Sequence, residues 1–132
     1  MIEMELNKVL IDEKRADQLI VLKEKKGTRY LPIIIGIAEA SSIRLKLSGF
    51  KPPRPLTHDL LKSVIEGLDA KLEKVVIDKL ENNTFHAKLY IRKDTGELKI
   101  IDARPSDSIA LAIRIGVPIF VKEEVIENAQ SL

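Results

Sequence analysis

Residues 71–93 read KLEKVVIDKLENNTFHAKLYIRK, and this stretch decides the fold. Apolar and polar residues alternate with a period of two over 72–80 and again over 85–91, the pattern of half-buried strands. Between the two runs stand Asn82 and Asn83, which tolerate positive φ and suit a tight hairpin turn. Closing the hairpin there sets Leu80 against Phe85 and Val76 against Leu89 on one face. It sets Glu73 against Arg92 and Lys79 against His86 on the other, and Asp78 falls opposite Ala87. Turn position and hydrophobic pattern agree, so the register is specified.

Downstream, Asp94-Thr95-Gly96 turns the chain into a strand over 98–103. Arg104-Pro105-Ser106-Asp107 then opens a helix through Arg114, with Gly116 as its stop. That helix is apolar nearly all round and should be buried. Residues 118–121 read as a short strand, and an acidic helix follows from Glu123. Upstream, residues 2–11, 18–23 and 30–35 read as three strands of a meander, with Ile2, Met4, Leu6 and Lys8 on one side of the first. A helix over 38–47 follows, closed by Gly49, and Lys51-Pro52-Pro53-Arg54-Pro55 forms a stiff extended loop. Thr57 is placed to cap the next helix, with Asp59 in its first turn. Leu60, Leu61, Val64, Ile65 and Leu68 make an amphipathic stripe along it. The order β-β-β-α-α-β-β-β-α-β-(α) predicts an α+β fold with a mainly antiparallel sheet and inserted helices, one domain over 1–132.

Composition narrows the chemistry. The 132 residues include no cysteine and only two histidines, His58 and His86, which excludes disulfides, thiolate metal sites and cysteine nucleophiles. Any bound metal is expected to be a hard cation on carboxylates. The net charge of +2 is not that of a chain that coats nucleic acid by bulk electrostatics, but residues 43–62 carry Arg44, Lys46, Lys51, Arg54 and Lys62 against Asp59 alone. The longest apolar run, 31–38, falls short of the roughly 20 residues that cross a bilayer, and no signal-peptide pattern opens the chain, so a cytoplasmic protein without membrane contact is expected.

Two polar clusters stand at helix starts. In Arg54-Pro55-Leu56-Thr57-His58-Asp59, a guanidinium, an imidazole and a carboxylate adjoin a helix N-terminus. Asp102-Ala103-Arg104-Pro105-Ser106-Asp107 offers two carboxylates, a guanidinium and a hydroxyl. Each has a plain structural reading, caps and ion pairs, beside a functional one, a ligand or divalent-ion site. Glu39 lies beside the Gly36 bend, and His86 sits on the polar face of the hairpin.

With these motifs in hand, the sequence resembles the bifunctional nuclease family (domain of unknown function 151). The likeness is carried by LPIIIGIAEA (31–40), RPLTHDLL (54–61), NTFHA (83–87), DARPSDSIALA (102–112) and PIFV (118–121). Ser108 and His86 depart from the family pattern, where alanine and an aromatic are common. The resemblance implies a compact, often dimeric α+β domain, and for plant members action on both RNA and DNA. It implies His58, Asp59, Asp107 and Glu39 as catalytic candidates, and Arg54, Arg104, Thr57 and Ser106 as phosphate-binding candidates. Glu39 and Asp107 are the expected ligands for Mg²⁺ or Mn²⁺. Two functions follow as expectations: phosphodiester hydrolysis of RNA and DNA, with nucleic acid and a second copy as partners, or a non-catalytic module that binds nucleic acid, a nucleotide or a protein.

Overall fold

A computed structural model describes residues 1–130. Among them, seven strands form one sheet: β1 (Ile2–Leu10), β2 (Asp17–Glu24), β3 (Tyr30–Gly36), β4 (Ala70–Glu81), β5 (Thr84–Lys93), β6 (Leu98–Ala103) and β7 (Ile119–Val121). The helices are α1 (Ile37–Leu47), α2 (Thr57–Gly67), α3 (Pro105–Ile115) and α4 (Glu123–Gln130). The fold is α+β, and its sheet is mostly antiparallel, as the element order predicts. Strand order is β3-β2-β1-β7-β4-β5-β6. Two meanders, β1–β3 and β4–β6, are joined through β7, which runs antiparallel to β1 and parallel to β4. The short strand 118–121 of the sequence reading is therefore the seam of the sheet.

The β4–β5 hairpin turns at Asn82 and Asn83, both at positive φ (52° and 60°), as their chemistry suggests. Leu80 faces Phe85 and Lys79 faces His86, but farther from the turn the register departs from simple alternation. Shifts at Glu73 and at Asp78 pair Ile77 with Ala87, Val75 with Leu89 and Lys71 with Arg92. Each extra residue bulges out of the ladder, and alternation in one strand does not reveal it. Glu73 still reaches Arg92 through its side chain, at 3.1 Å. Asp78 is thereby explained as a bulge residue. Its Oδ2 lies 3.5 Å from Lys88 Nζ, while Oδ1 is buried without a partner. A similar shift in β1, between Leu6 and Lys8, brings Val9 rather than Lys8 onto the core.

α3 is the central helix. Ile109, Ala110, Leu111 and Ala112 are buried among Met4, Leu72, Val75 and Ile77 of the sheet and Ile43 of α1. Gly116 ends α3 in the left-handed region at φ 86°, where a side chain would be strained. α2 departs from expectation in two ways. Thr57 does not cap it: Thr57 is already the first helical residue, and the Asp59 carboxylate accepts the Leu56 N–H at 3.0 Å instead. The stripe of Leu60, Leu61, Val64 and Leu68 faces solvent, because α2 meets the rest of the chain through His58 and Ile65. Among the described residues no helix is long and apolar enough to cross a membrane.

Candidate functional site

The starts of α1, α2 and α3 converge. Gly36 delivers the chain from β3 into α1, and a Cβ there would fall 2.7 Å from Glu39 Oε2, so the glycine leaves room for that side chain to fold back over the helix start. Glu39 is thereby largely buried, and its Oε1 accepts Arg104 Nη2 at 2.6 Å. Arg104, extended just before Pro105, also donates from Nε to Asp107 Oδ2 at 2.9 Å. Asp107 Oδ1 accepts His58 Nε2 at 2.9 Å. His58 Nδ1 lies 2.8 Å from Ser42 Oγ in the middle of α1. Glu39, Arg104, Asp107, His58 and Ser42 thus form one unbroken chain of contacts through three helices.

A carboxylate only accepts, so Asp107 holds a proton on Nε2; in the neutral imidazole Nδ1 then accepts the Ser42 hydroxyl. Arg104 has its pKa raised, first by its hydrogen bond to Asp107 and then by Glu39. Two carboxylates therefore share one guanidinium, and the Arg104 side chain remains 67% exposed while that of His58 is only 8% exposed.

The next residue of α2 belongs to a second assembly. Asp59 Oδ1 accepts Arg114 Nε at 2.9 Å, and Arg114 also donates to the Ser42 carbonyl and the Ala110 carbonyl. Burial pushes the Asp59 carboxyl up, but the Leu56 N–H, Arg114 and Lys46 together outweigh it and hold the group below the usual carboxylate range. Sequence reasoning missed Arg114 and Ser42. The one signal for Arg114 was a lone arginine in an otherwise apolar helix.

Of the expected site residues, Glu39, His58, Arg104 and Asp107 come together. Asp59 is held on the neighbouring Arg114. Arg54 lines a cleft between the end of α1 and the start of α2 that Arg104 does not reach, and Thr57 is exposed, with no hydrogen bond through its hydroxyl among the described residues. Asp102 turns outward to Lys88, 3.2 Å away, rather than to Arg104. Ser106 is buried at the start of α3 and lines the cleft beside β3 with Ile34, Phe85 and Arg104. His86 sits across from Lys79, and no contact joins it to His58. As arranged, Glu39 and Asp107 do not fit a divalent ion: Arg104 binds both carboxylates, and Asp107 gives its second oxygen to His58. Among the described residues no group of three or more histidine or acidic side chains could hold a metal.

A mostly antiparallel α+β domain with a histidine–carboxylate–arginine chain across its helix starts defines the class. The comparisons then place the chain: it belongs to the family of the bifunctional nuclease domain, whose model matches residues 20–132. An uncharacterized protein of Mycobacterium tuberculosis is 42% identical over 121 residues, covering 92% of this chain and 71% of that protein. Bifunctional nuclease 1 of Oryza sativa subsp. japonica is 30% identical over 112 residues, 83% of this chain but 34% of its own length. Bifunctional nuclease 1 of Arabidopsis thaliana is 28% identical over 107 residues, 79% of this chain and 33% of its own.

Proposed function

We propose that this chain hydrolyses phosphodiester bonds of RNA and DNA. The observation that supports the reading best is the convergence of Glu39, His58, Arg104 and Asp107 from three helix starts at 2.6–2.9 Å. In this reading Asp107 holds the His58 tautomer and steadies the imidazolium that forms when Nδ1 takes a proton. Ser42, rotating about its side-chain bond, yields Nδ1 to the attacking water; as the water oxygen bonds to phosphorus, the P–O bond to the leaving sugar oxygen breaks, and the imidazolium returns its proton to that oxygen. Arg104, the exposed member of the chain, faces the charge that develops on the phosphoryl oxygens. No step is routed through a metal. The protein is expected in the cytoplasm, and a second copy of the chain is proposed to cover Leu60, Leu61, Val64 and Leu68 of α2.

A second reading has its own observation. His58 is buried and both ring nitrogens are engaged, as in a polar lock that holds three helices in place. A binding module without turnover follows from that. Cleavage of labelled single-stranded RNA and DNA, with and without Mg²⁺ or Mn²⁺, separates the two. Loss of cleavage in both His58→Ala and Asp107→Asn, with the fold retained, supports hydrolysis. Cleavage that persists in both variants removes it, and binding without turnover establishes the second reading.

A further inference from the structure

We infer that the groove between the end of α1 and the start of α2 binds single-stranded nucleic acid, with Lys46, Lys51 and Arg54 on the phosphates and Phe50 beneath a base. The inference rests on the nucleic-acid reading above but places recognition away from the Arg104 chain. The groove encloses about 430 Å³, within the roughly 300–1,000 Å³ of small-ligand sites. Lys46, Lys51, Arg54 and Arg114 line it against the single carboxylate of Asp59. Arg114 is held by Asp59, but among the described residues Lys46, Lys51 and Arg54 enter no ion pair and donate no hydrogen bond. All three are exposed. Lys46 acts on Asp59 only through the longer-range field, and four cations against one carboxylate around one concave surface are the footprint of a polyanion.

The larger cleft, about 730 Å³ beside β3, is the rival for phosphate. Its one cation, Arg104, is already shared by two carboxylates, so that cleft can meet one reacting phosphate but has no further cation to anchor a strand. The α1–α2 groove has the opposite balance.

Phe50 names the class of nucleic acid. It is 53% exposed on the wall of the groove, between Lys46 and Lys51 in sequence. Gly49, at φ +78°, follows the end of α1, and Pro52-Pro53 stiffen the loop that comes next. An exposed ring with lysines on either side in sequence accepts an unstacked base and has nothing to offer one inside a duplex. The groove also uses a different face of α2 from the apolar stripe: Asp59 and Ser63 line it, whereas Leu60, Leu61, Val64 and Leu68 point elsewhere.

The test is fluorescence anisotropy with a labelled oligodeoxythymidine and a matching labelled duplex, over a range of salt, in a buffer that stops cleavage. The single strand is expected to bind more tightly than the duplex. A variant combining Lys46→Gln, Lys51→Gln and Arg54→Gln should lose at least about tenfold in affinity, and its salt slope should fall by about 2, near 0.7 per phosphate contact. Phe50→Ala should lose roughly 5- to 100-fold with an unchanged salt slope. Wild-type affinity and slope in the triple variant, equal binding of the duplex, or an unaffected Phe50→Ala overturns the inference. So does a Phe50→Ala variant whose only change is its oligomeric state by sedimentation. A chain that binds through this groove and never cleaves overturns the hydrolytic reading alone. One that cleaves normally without the three cations overturns this inference alone, and one that binds no nucleic acid overturns both.

Discussion

His58 and Asp59 are neighbours on one turn of α2, yet they serve two assemblies of opposite character. On the His58 side every charge is answered: Glu39 and Asp107 share Arg104, and Asp107 also holds the imidazole. On the Asp59 side one pair, Asp59–Arg114, is closed inside the groove, while Lys46, Lys51 and Arg54 stand open at its rim. Closed charges tie helices together, and their removal is felt by the fold. Open charges contribute little to folding and remain free for a ligand. The difference assigns stability to one set of residues and recognition to the other, and each assignment can be broken by substitution.

The largest effect is expected at the closed pair. Arg114 is 4% exposed, so Asp59→Ala leaves a guanidinium inside the protein without its counter-charge, which costs about 3 kcal/mol or more. Urea unfolding measures it, and a loss below about 1 kcal/mol would erase the distinction between closed and open charges. The pH dependence has a definite sign. The folded Asp59 carboxyl lies below its ordinary value, so its contribution is complete above the unfolded pKa of about 3.9 and is lost as pH falls through the lower folded value. Stability of wild type and Asp59→Asn should therefore differ at neutral pH and converge in acid. An intermediate effect is expected on the other side. Asp107→Asn keeps the shape but removes the charged acceptor of His58 and Arg104, a loss of about 2 kcal/mol.

The contrast also shows what a sequence can reveal. Asn82-Asn83 and the alternation around them make the hairpin legible, because turn chemistry and a period of two are local properties. The bulges at Glu73 and Asp78 are not, since an extra residue in one strand acquires meaning only against its partner. The all-round apolar sequence of α3 correctly announces burial. The stripe on α2 announces an apolar face but not what covers it, and none of the described residues does so. Glu39, His58, Arg104 and Asp107 could be named from motif likeness, but their contacts could not, because they lie on three helices whose crossing is a tertiary property. For the same reason Arg54, only four residues from His58, was expected with Arg104 and lines the opposite assembly instead. Ser42 was hidden among the polar residues of an ordinary helix face.

The smallest effect is expected at Arg104, where the comparison can be sharpened most. Its side chain is 67% exposed, so its two ion pairs are solvent-screened, and Arg104→Gln should change stability by less than about 1 kcal/mol. The substitution nevertheless alters the character of the site. It leaves Glu39 and Asp107 facing a space that a cation no longer fills, with mutual repulsion in place of a shared partner. If Arg104 stands where an ion would otherwise bind, Mg²⁺ or Mn²⁺ should raise the melting temperature of Arg104→Gln in a saturable way and leave that of the wild type unchanged, by the usual linkage of binding to stability. Equal stabilisation of both proteins would mean that the carboxylates admit an ion with the arginine in place, and the His58 side would then join the groove as an open assembly. No stabilisation of either would leave Arg104 as a tie between α1 and α3 with no ion site behind it.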